Sequence, residues 1–274
     1  MCVPGCQETV MRRLSRRGFF KGLGAAGAGA AVFTAFPPPR PAIAQGASFS
    51  RVVDLTHALG PDFPTFFGKP QLSMERNAAF DKDGYNMFTW TIVEHTGTHL
   101  DAPIHFSADG VDASSIGADQ LVVPLAVVDI KEKAASDTDY QLTPDDLKTW
   151  EAANGDLPNG GCVAMNSGWA RYVTGEKFRN TDPEGRMHFP GFHVEAAMYM
   201  MEKGVVGMAV DTLSLDFGAS EDFATHYAWL PSGRWGVECV ANLDDVPATG
   251  ATFVLGGPKI KGASGGPSRV FALV

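Results

Sequence analysis

Residues 94 to 106 read Glu94-His95-Thr96-Gly97-Thr98-His99-Leu100-Asp101-Ala102-Pro103-Ile104-His105-Phe106, the densest chemistry in the chain. Three of the seven histidines and an aspartate fall inside this run. A divalent metal of borderline softness is held by neutral imidazole and carboxylate, with at least one position left open. His95, His99 and Asp101 offer three such ligands. Thr96, Gly97, Thr98 and Pro103 argue against a helix. The expected picture is a strand ending at Glu94, then a tight loop that turns His95 and His99 inward, with Gly97 permitting the turn. His105 is close enough to serve as an acid or base, with an ordinary imidazole pKa near roughly 6.5. A lone loop histidine is usually solvated, but this cluster, with rigid Gly and Pro positions between its members, is hard to explain as packing.

Outward from this run, short apolar stretches predict strands at residues 51–56, 88–94, 121–130, 161–166, 205–210, 251–255 and 269–274. Thr143-Pro144-Asp145-Asp146-Leu147 predicts a capped helix with acids at its positive end. A second helix is expected over 191–203, with Val194, Ala197, Met198 and Met201 on its packed face and Gly204 as its stop. No linker, repeat or charge block interrupts the chain after Phe49, so residues 45–274 read as one domain of strand-rich α/β type.

The first 44 residues read differently. Ser15-Arg16-Arg17-Gly18-Phe19-Phe20-Lys21 precedes a Gly- and Ala-rich apolar stretch, which ends at Ala42-Ile43-Ala44. Charged region, apolar region and small-residue cleavage site make a secretory leader, and the paired arginines resemble a twin-arginine signal. The apolar run is too short and too glycine-rich for a membrane anchor, so a periplasmic protein with no stable anchor after cleavage is expected. Met11 is an alternative start. Gly22-Leu23-Gly24-Ala25-Ala26-Gly27 matches a dinucleotide fingerprint, but no strand precedes it and it lies in the leader. Removing residues 1 to 44 takes away Arg12, Arg13, Arg16, Arg17, Lys21 and Arg40 against Glu8 alone, so the remainder is more acidic than the whole chain's −9. No basic stripe follows residue 40, which excludes nucleic acid as a partner. Cys162 and Cys239 remain; in an oxidising compartment the pair could form one disulfide, but both sit in apolar contexts that suit free buried thiols at least as well.

The run from His95 to Phe106 resembles the H-x-G-T-H-x-D-x-P-x-H-F signature of the cyclase family of metal-dependent hydrolases, which includes kynurenine formamidases and isatin hydrolases. Val53-Asp54-Leu55-Thr56-His57, Asn166-Ser167-Gly168-Trp169, Val210-Asp211-Thr212-Leu213-Ser214-Leu215-Asp216 and Lys259-Ile260-Lys261-Gly262-Ala263-Ser264-Gly265-Gly266-Pro267 fit in order. The resemblance implies a swivelling β/β/α domain. It implies metal ligands at His95, His99 and Asp101, with the aspartate bridging, and proton transfer by His105. It also implies that His226 and Glu238, twelve residues apart, complete the site. Alone, those two would read as a loop histidine and a strand-end glutamate. The formamidases carry a substrate-stacking tryptophan where this chain has Pro64-Thr65-Phe66-Phe67-Gly68, so Phe66 and Phe67 are the expected aromatic wall. Trp90, Tyr227 and Trp235 are weaker candidates.

The expected protein is therefore a hydrolase that uses a metal-activated water to open an amide, cyclic amide or N-formyl bond of a small planar substrate. Zinc or manganese, one or two ions, and a homodimer or homotetramer belong to this expectation. A lactone hydrolase on the same site, or a non-catalytic periplasmic binder of metal or small solutes, is the alternative. Gly262-Ala263-Ser264-Gly265-Gly266 matches the nucleophile elbow of serine hydrolases, but no histidine follows it. The loop is expected to lie against the pocket through its backbone.

Overall fold

A computed structural model describes residues 48–274; the leader, the Met11 start and the Ala42-Ile43-Ala44 site lie outside the described residues. The strands in chain order are β1 (Val52–Asp54), β2 (Leu72–Ala78), β3 (Met87–Ile92), β4 (His99–Asp101), β5 (Val122–Asp129), β6 (Gln141–Leu142), β7 (Cys162–Asn166), β8 (Gly191–Phe192), β9 (Gly207–Val210), β10 (Trp235–Glu238), β11 (Ala251–Gly256), β12 (Gly265–Pro267) and β13 (Arg269–Leu273). The α-helices are α1 (Phe80–Asp83), α2 (Lys131–Ser136), α3 (Pro144–Asn154), α4 (Val194–Glu202) and α5 (Ala224–Trp229). Residues 74–90 form one compact unit, with most of β2 and β3 and all of α1; residues 48–73 and 91–274 form the other.

The larger unit is built on a curled, mixed sheet of nine strands in the order β1-β13-β11-β5-β7-β9-β10-β4-β12. Its middle, β5, β7, β9 and β10, is parallel, and the flanks are antiparallel. Parallel strands buried on both faces read as continuous apolar runs, and β7 is buried at every residue. Cys162 and Ala164 join Leu125, Val127, Trp235 and Phe253 in one core. Val163 and Met165 join Leu147, Trp150, Met200 and Trp229, from the helices, in a second core on the other face. Among the described residues, Cys162 and Cys239 are both free and buried. The expected α/β, strand-rich class with a few helices is the observed one.

Several local expectations differ. The second helix begins at Val194, because Gly191 and Phe192 pair with β6 instead. Its buried face is Ala196, Ala197 and Met200, and Met198 is 54% exposed. The strand before the histidine run stops at Ile92, and His99, Leu100 and Asp101 are themselves a strand. Among the described residues, no helix is long and apolar enough to cross a membrane.

Candidate metal centre

Strand β4 places the centre. Alternation along a strand sends His99 and Asp101 to one face and Leu100 to the other, where it packs in the core. Glu238 of β10 sits directly opposite His99 in the antiparallel register, and Gly236 sits opposite Asp101. His226 comes from α5, and its Nε2 lies 3.2 Å from Glu238 Oε1 and 3.7 Å from Asp101 Oδ2. His99 Nε2 is 3.3 Å from Asp101 Oδ1 and 3.4 Å from Glu238 Oε2. His95 Nδ1 is 2.6 Å from Asp101 Oδ1. Gly97 takes the left-handed conformation, φ 71°, in the turn between His95 and β4, as its role as turn glycine requires.

These donors divide into two groups, His95 with His99 and Asp101, and Asp101 with His226 and Glu238. Within each, the ligand atoms lie within 4.8 Å of one another, and Asp101 belongs to both. The structure thus brings together all five residues expected at a metal site. The donor set fits a divalent ion. His99 Nε2 and Asp101 Oδ2 are buried without a hydrogen-bond partner, although buried polar atoms are ordinarily satisfied. His99 Nδ1 is 2.8 Å from the Gly97 carbonyl, and His226 Nδ1 is 2.5 Å from Asp216 Oδ2. With that outer nitrogen donating its N–H, each ring in its neutral form would leave Nε2 free to hold an ion.

The charges agree with this. Burial opposes charging of His99, but the carboxylates of Asp101 and Glu238 outweigh it and push its pKa up to about 9. His226 is likewise raised, its desolvation overcome by Asp101, Asp216 and Glu238. Burial, with the Asp101 charge, raises Glu238, whereas Asp101 is held well below the carboxylate range by the surrounding histidines despite its burial. Closely packed carboxylates of this kind recruit positive charge, from protons or from a metal that displaces them.

His105 lies on the 3-10 turn Pro103–Phe106. Its ring stacks on His95 with centroids 3.7 Å apart and 19° between planes. Burial, the largest influence, brings its pKa down to about 4. The ordinary value expected from sequence is therefore corrected: His105 is a neutral imidazole across the physiological range. Beside it opens a cavity of about 350 Å³ lined by Phe66, Phe67, Phe106 and Phe223 along with the histidines and Glu238. Phe66 and Phe67 both line it. Of the weaker candidates, Trp235 is buried and stacked on Phe253, and Trp90 and Tyr227 are exposed and do not line the cavity.

Phe106, Asp216 and Phe223 escaped the sequence reading as site residues. Phe223 holds φ 50°, rare for a bulky side chain, immediately before α5, and its ring lies 6.1 Å from Phe66 and 5.8 Å from Phe106. Nothing in a single sequence signals such a conformation. Asp216 accepts from the backbone N–H of Thr225 and of His226, so it fixes the start of α5 and the His226 ring together.

The model of the Cyclase family matches residues 53–217. Isatin hydrolase of Roseibium aggregatum is 33% identical, over 81% of this chain and 91% of its own length. The chain belongs to the Cyclase family. Isatin hydrolase A from Ralstonia solanacearum matches its fold with a TM-score of 0.77 and 34% identity, across 82% of this chain and 92% of the other. Kynurenine formamidase of Erythrobacter litoralis is 27% identical, over 72% of this chain and 82% of its own. The Cyclase match takes in His95, His99, Asp101 and His105 and ends before His226 and Glu238; the fold brings those two to the same place.

Proposed function

We propose that this protein hydrolyses an amide, cyclic amide or N-formyl bond in a small, planar, uncharged substrate. Zinc or manganese would be held by His95, His99, Asp101, His226 and Glu238. The protein is a metal-dependent hydrolase acting on carbon–nitrogen bonds, as its similarity to isatin hydrolase and kynurenine formamidase supports. The observation that carries the substrate reading is His105, stacked beside the donor cluster on one wall of an aromatic cavity. Two donor groups that share one aspartate favour two ions over one, and the second group, richer in carboxylate, suits the harder manganese.

A divalent ion in this place supplies Lewis acidity and makes water acidic enough to act as a nucleophile near neutral pH. The chain's own residues do the rest. His105, neutral because it is buried, takes a proton from the attacking water and returns it to the leaving nitrogen. Asp216 and the Gly97 carbonyl keep His226 and His99 from turning. Phe66, Phe67, Phe106 and Phe223 hold a flat ring and exclude water. Besides the metal-site residues and His105, the cavity lining holds one ionisable side chain, Cys239, whose thiol burial keeps neutral, so no further charge there meets an α-ammonium or α-carboxylate group. A charged amino-acid side arm would lose its hydration without compensation. Uncharged isatins and simple N-formyl-arylamines should therefore be hydrolysed faster than N-formylkynurenine. A panel of these with lactones, run beside metal analysis of the same preparation, tests the reading. Preference for N-formylkynurenine would overturn the uncharged-substrate assignment, and preference for lactones would overturn the amide assignment. Export by the twin-arginine route to the periplasm, and assembly as a homodimer or homotetramer, complete the proposal.

A further inference from the structure

The glycine-serine loop at 262–266 matches a nucleophile elbow in sequence. In the folded protein its serine meets a histidine that comes far earlier. Ser264 Oγ lies 2.9 Å from His95 Nε2. The same hydroxyl makes a short hydrogen bond to Glu94 Oε2, and the Ser264 backbone N–H donates to that oxygen at 3.2 Å. We propose that Ser264, anchored by Glu94, is a positioning residue that fixes the tautomer and orientation of His95 toward the metal. This rests on the reading of His95 as a ligand.

Proton counting supports the direction of each bond. Glu94 Oε2 already accepts the Ser264 backbone N–H and also accepts from its hydroxyl, and Ser264 has only one hydroxyl proton, so that proton is committed to Glu94. The hydroxyl lone pair is then left to accept N–H from His95 Nε2. The other ring nitrogen, Nδ1, keeps its lone pair, and this is the nitrogen 2.6 Å from Asp101 Oδ1. Two bare acceptors at that distance repel one another unless a cation serves both. An imidazole backed in this way is a better oriented and more basic ligand.

The backbone of the loop holds the arrangement from outside. Ser264 C=O accepts from Ala102 N at 2.8 Å, and Gly265 pairs with Asp101 in the β12–β4 register. A Cβ on Gly265 would lie 2.0 Å from the Leu100 carbonyl oxygen and 2.8 Å from His95 Cε1, so only glycine lets β12 close on the ring edge. With His105 on its face, His95 is confined on several sides, and Ser264 alone addresses its outer nitrogen.

The test compares the wild-type protein with Ser264→Ala, Ser264→Thr and Glu94→Gln. All are stripped with chelator, refilled with zinc or manganese, and measured for stoichiometry, dissociation constants and the thermal midpoint of the metal-free form. Ser264→Ala should keep its metal-free midpoint and lose about ten- to hundredfold in affinity for the ion held by His95, His99 and Asp101. The ion held by Asp101, His226 and Glu238 should be less affected. Ser264→Thr, which keeps the hydroxyl, should restore affinity, and Glu94→Gln should weaken it in the same sense as the alanine variant. If Ser264→Ala binds both ions as tightly as the wild type, the positioning role is wrong. A lowered metal-free midpoint with no rescue by threonine would also overturn it, showing a loop-stabilising serine. A wild-type protein that binds no metal would instead overturn the metal reading itself, and this inference with it.

Discussion

Among single residues, His105 shows how far a neighbourhood changes an imidazole. Burial holds its pKa at about 4, so it presents a neutral ring at every pH at which the enzyme is expected to work. His105→Ala should retain metal and fold while turnover falls by about 10²- to 10⁴-fold, the usual worth of a positioned proton carrier. His99→Ala should lose metal and turnover together. Metal content, thermal midpoint and turnover measured on both variants separate the roles, and loss of metal from the His105 variant would make it a ligand instead. The run from His95 to His105 was legible because its density and its Gly and Pro positions are local. His226 and Glu238 were legible only through resemblance, and Ser264, Phe223 and Asp216 were not legible as site residues. Ser264 meets its histidine across 169 positions of chain, a distance that no spacing rule spans.

Elements were legible where their signals were local and long. The capping sequence Thr143-Pro144-Asp145-Asp146 produced α3, with Thr143 Oγ1 accepting from Asp146 N and Asp146 Oδ2 accepting from Thr143 N at 2.7 Å. Strand β4 was missed because three residues are too few for an alternation to be read; its neighbours β10 and β12 define it. At the cap, Asp146 also accepts from Tyr140 and pairs with Lys133. Burial alone would raise its pKa, but Lys133 and the Thr143 N–H and hydroxyl outweigh it and lower the value below 3.8. A carboxylate with a depressed folded pKa stabilises above its unfolded pKa, and that contribution fades as pH falls through the folded one. Thr143→Ala should cost about 1 kcal/mol at neutral pH. Asp146→Asn should be less stable than wild type at pH 6, and the gap should close as the pH drops below about 4. Denaturant unfolding across that range checks the sign; a gap that widens on acidification would refute the assignment.

Taken whole, the chain carries two features whose consequences reach beyond the active site. The first is the arginine-rich start with Ala42-Ile43-Ala44, from which an exported protein beginning near Gln45 is expected. Intact-mass measurement of the native protein decides this, and retention of residues 1–44 would refute it. The second is the unit at 74–90. Met74, Phe80, Met87, Phe88 and Trp90 are all exposed there, Phe80 at 67% and Trp90 at 66%. Single exposed apolar side chains are ordinary, but alternation along β3 puts Phe88 and Trp90 on one face, a pair of large rings that water does not favour. A ladder of two strands stabilises itself little, and a second copy of the same unit offers what this surface lacks, an apolar face of matching composition related by a twofold axis. The proposed homodimer or homotetramer would close through this unit. Trp90→Lys together with Phe88→Glu should leave the larger unit's core and metal site untouched, since neither residue belongs to them. The double variant should sediment as a monomer of unchanged metal content where the wild type sediments as a dimer or tetramer. If the wild type is itself a monomer at micromolar concentration, or the variant assembles as before, the patch does not join copies of this chain.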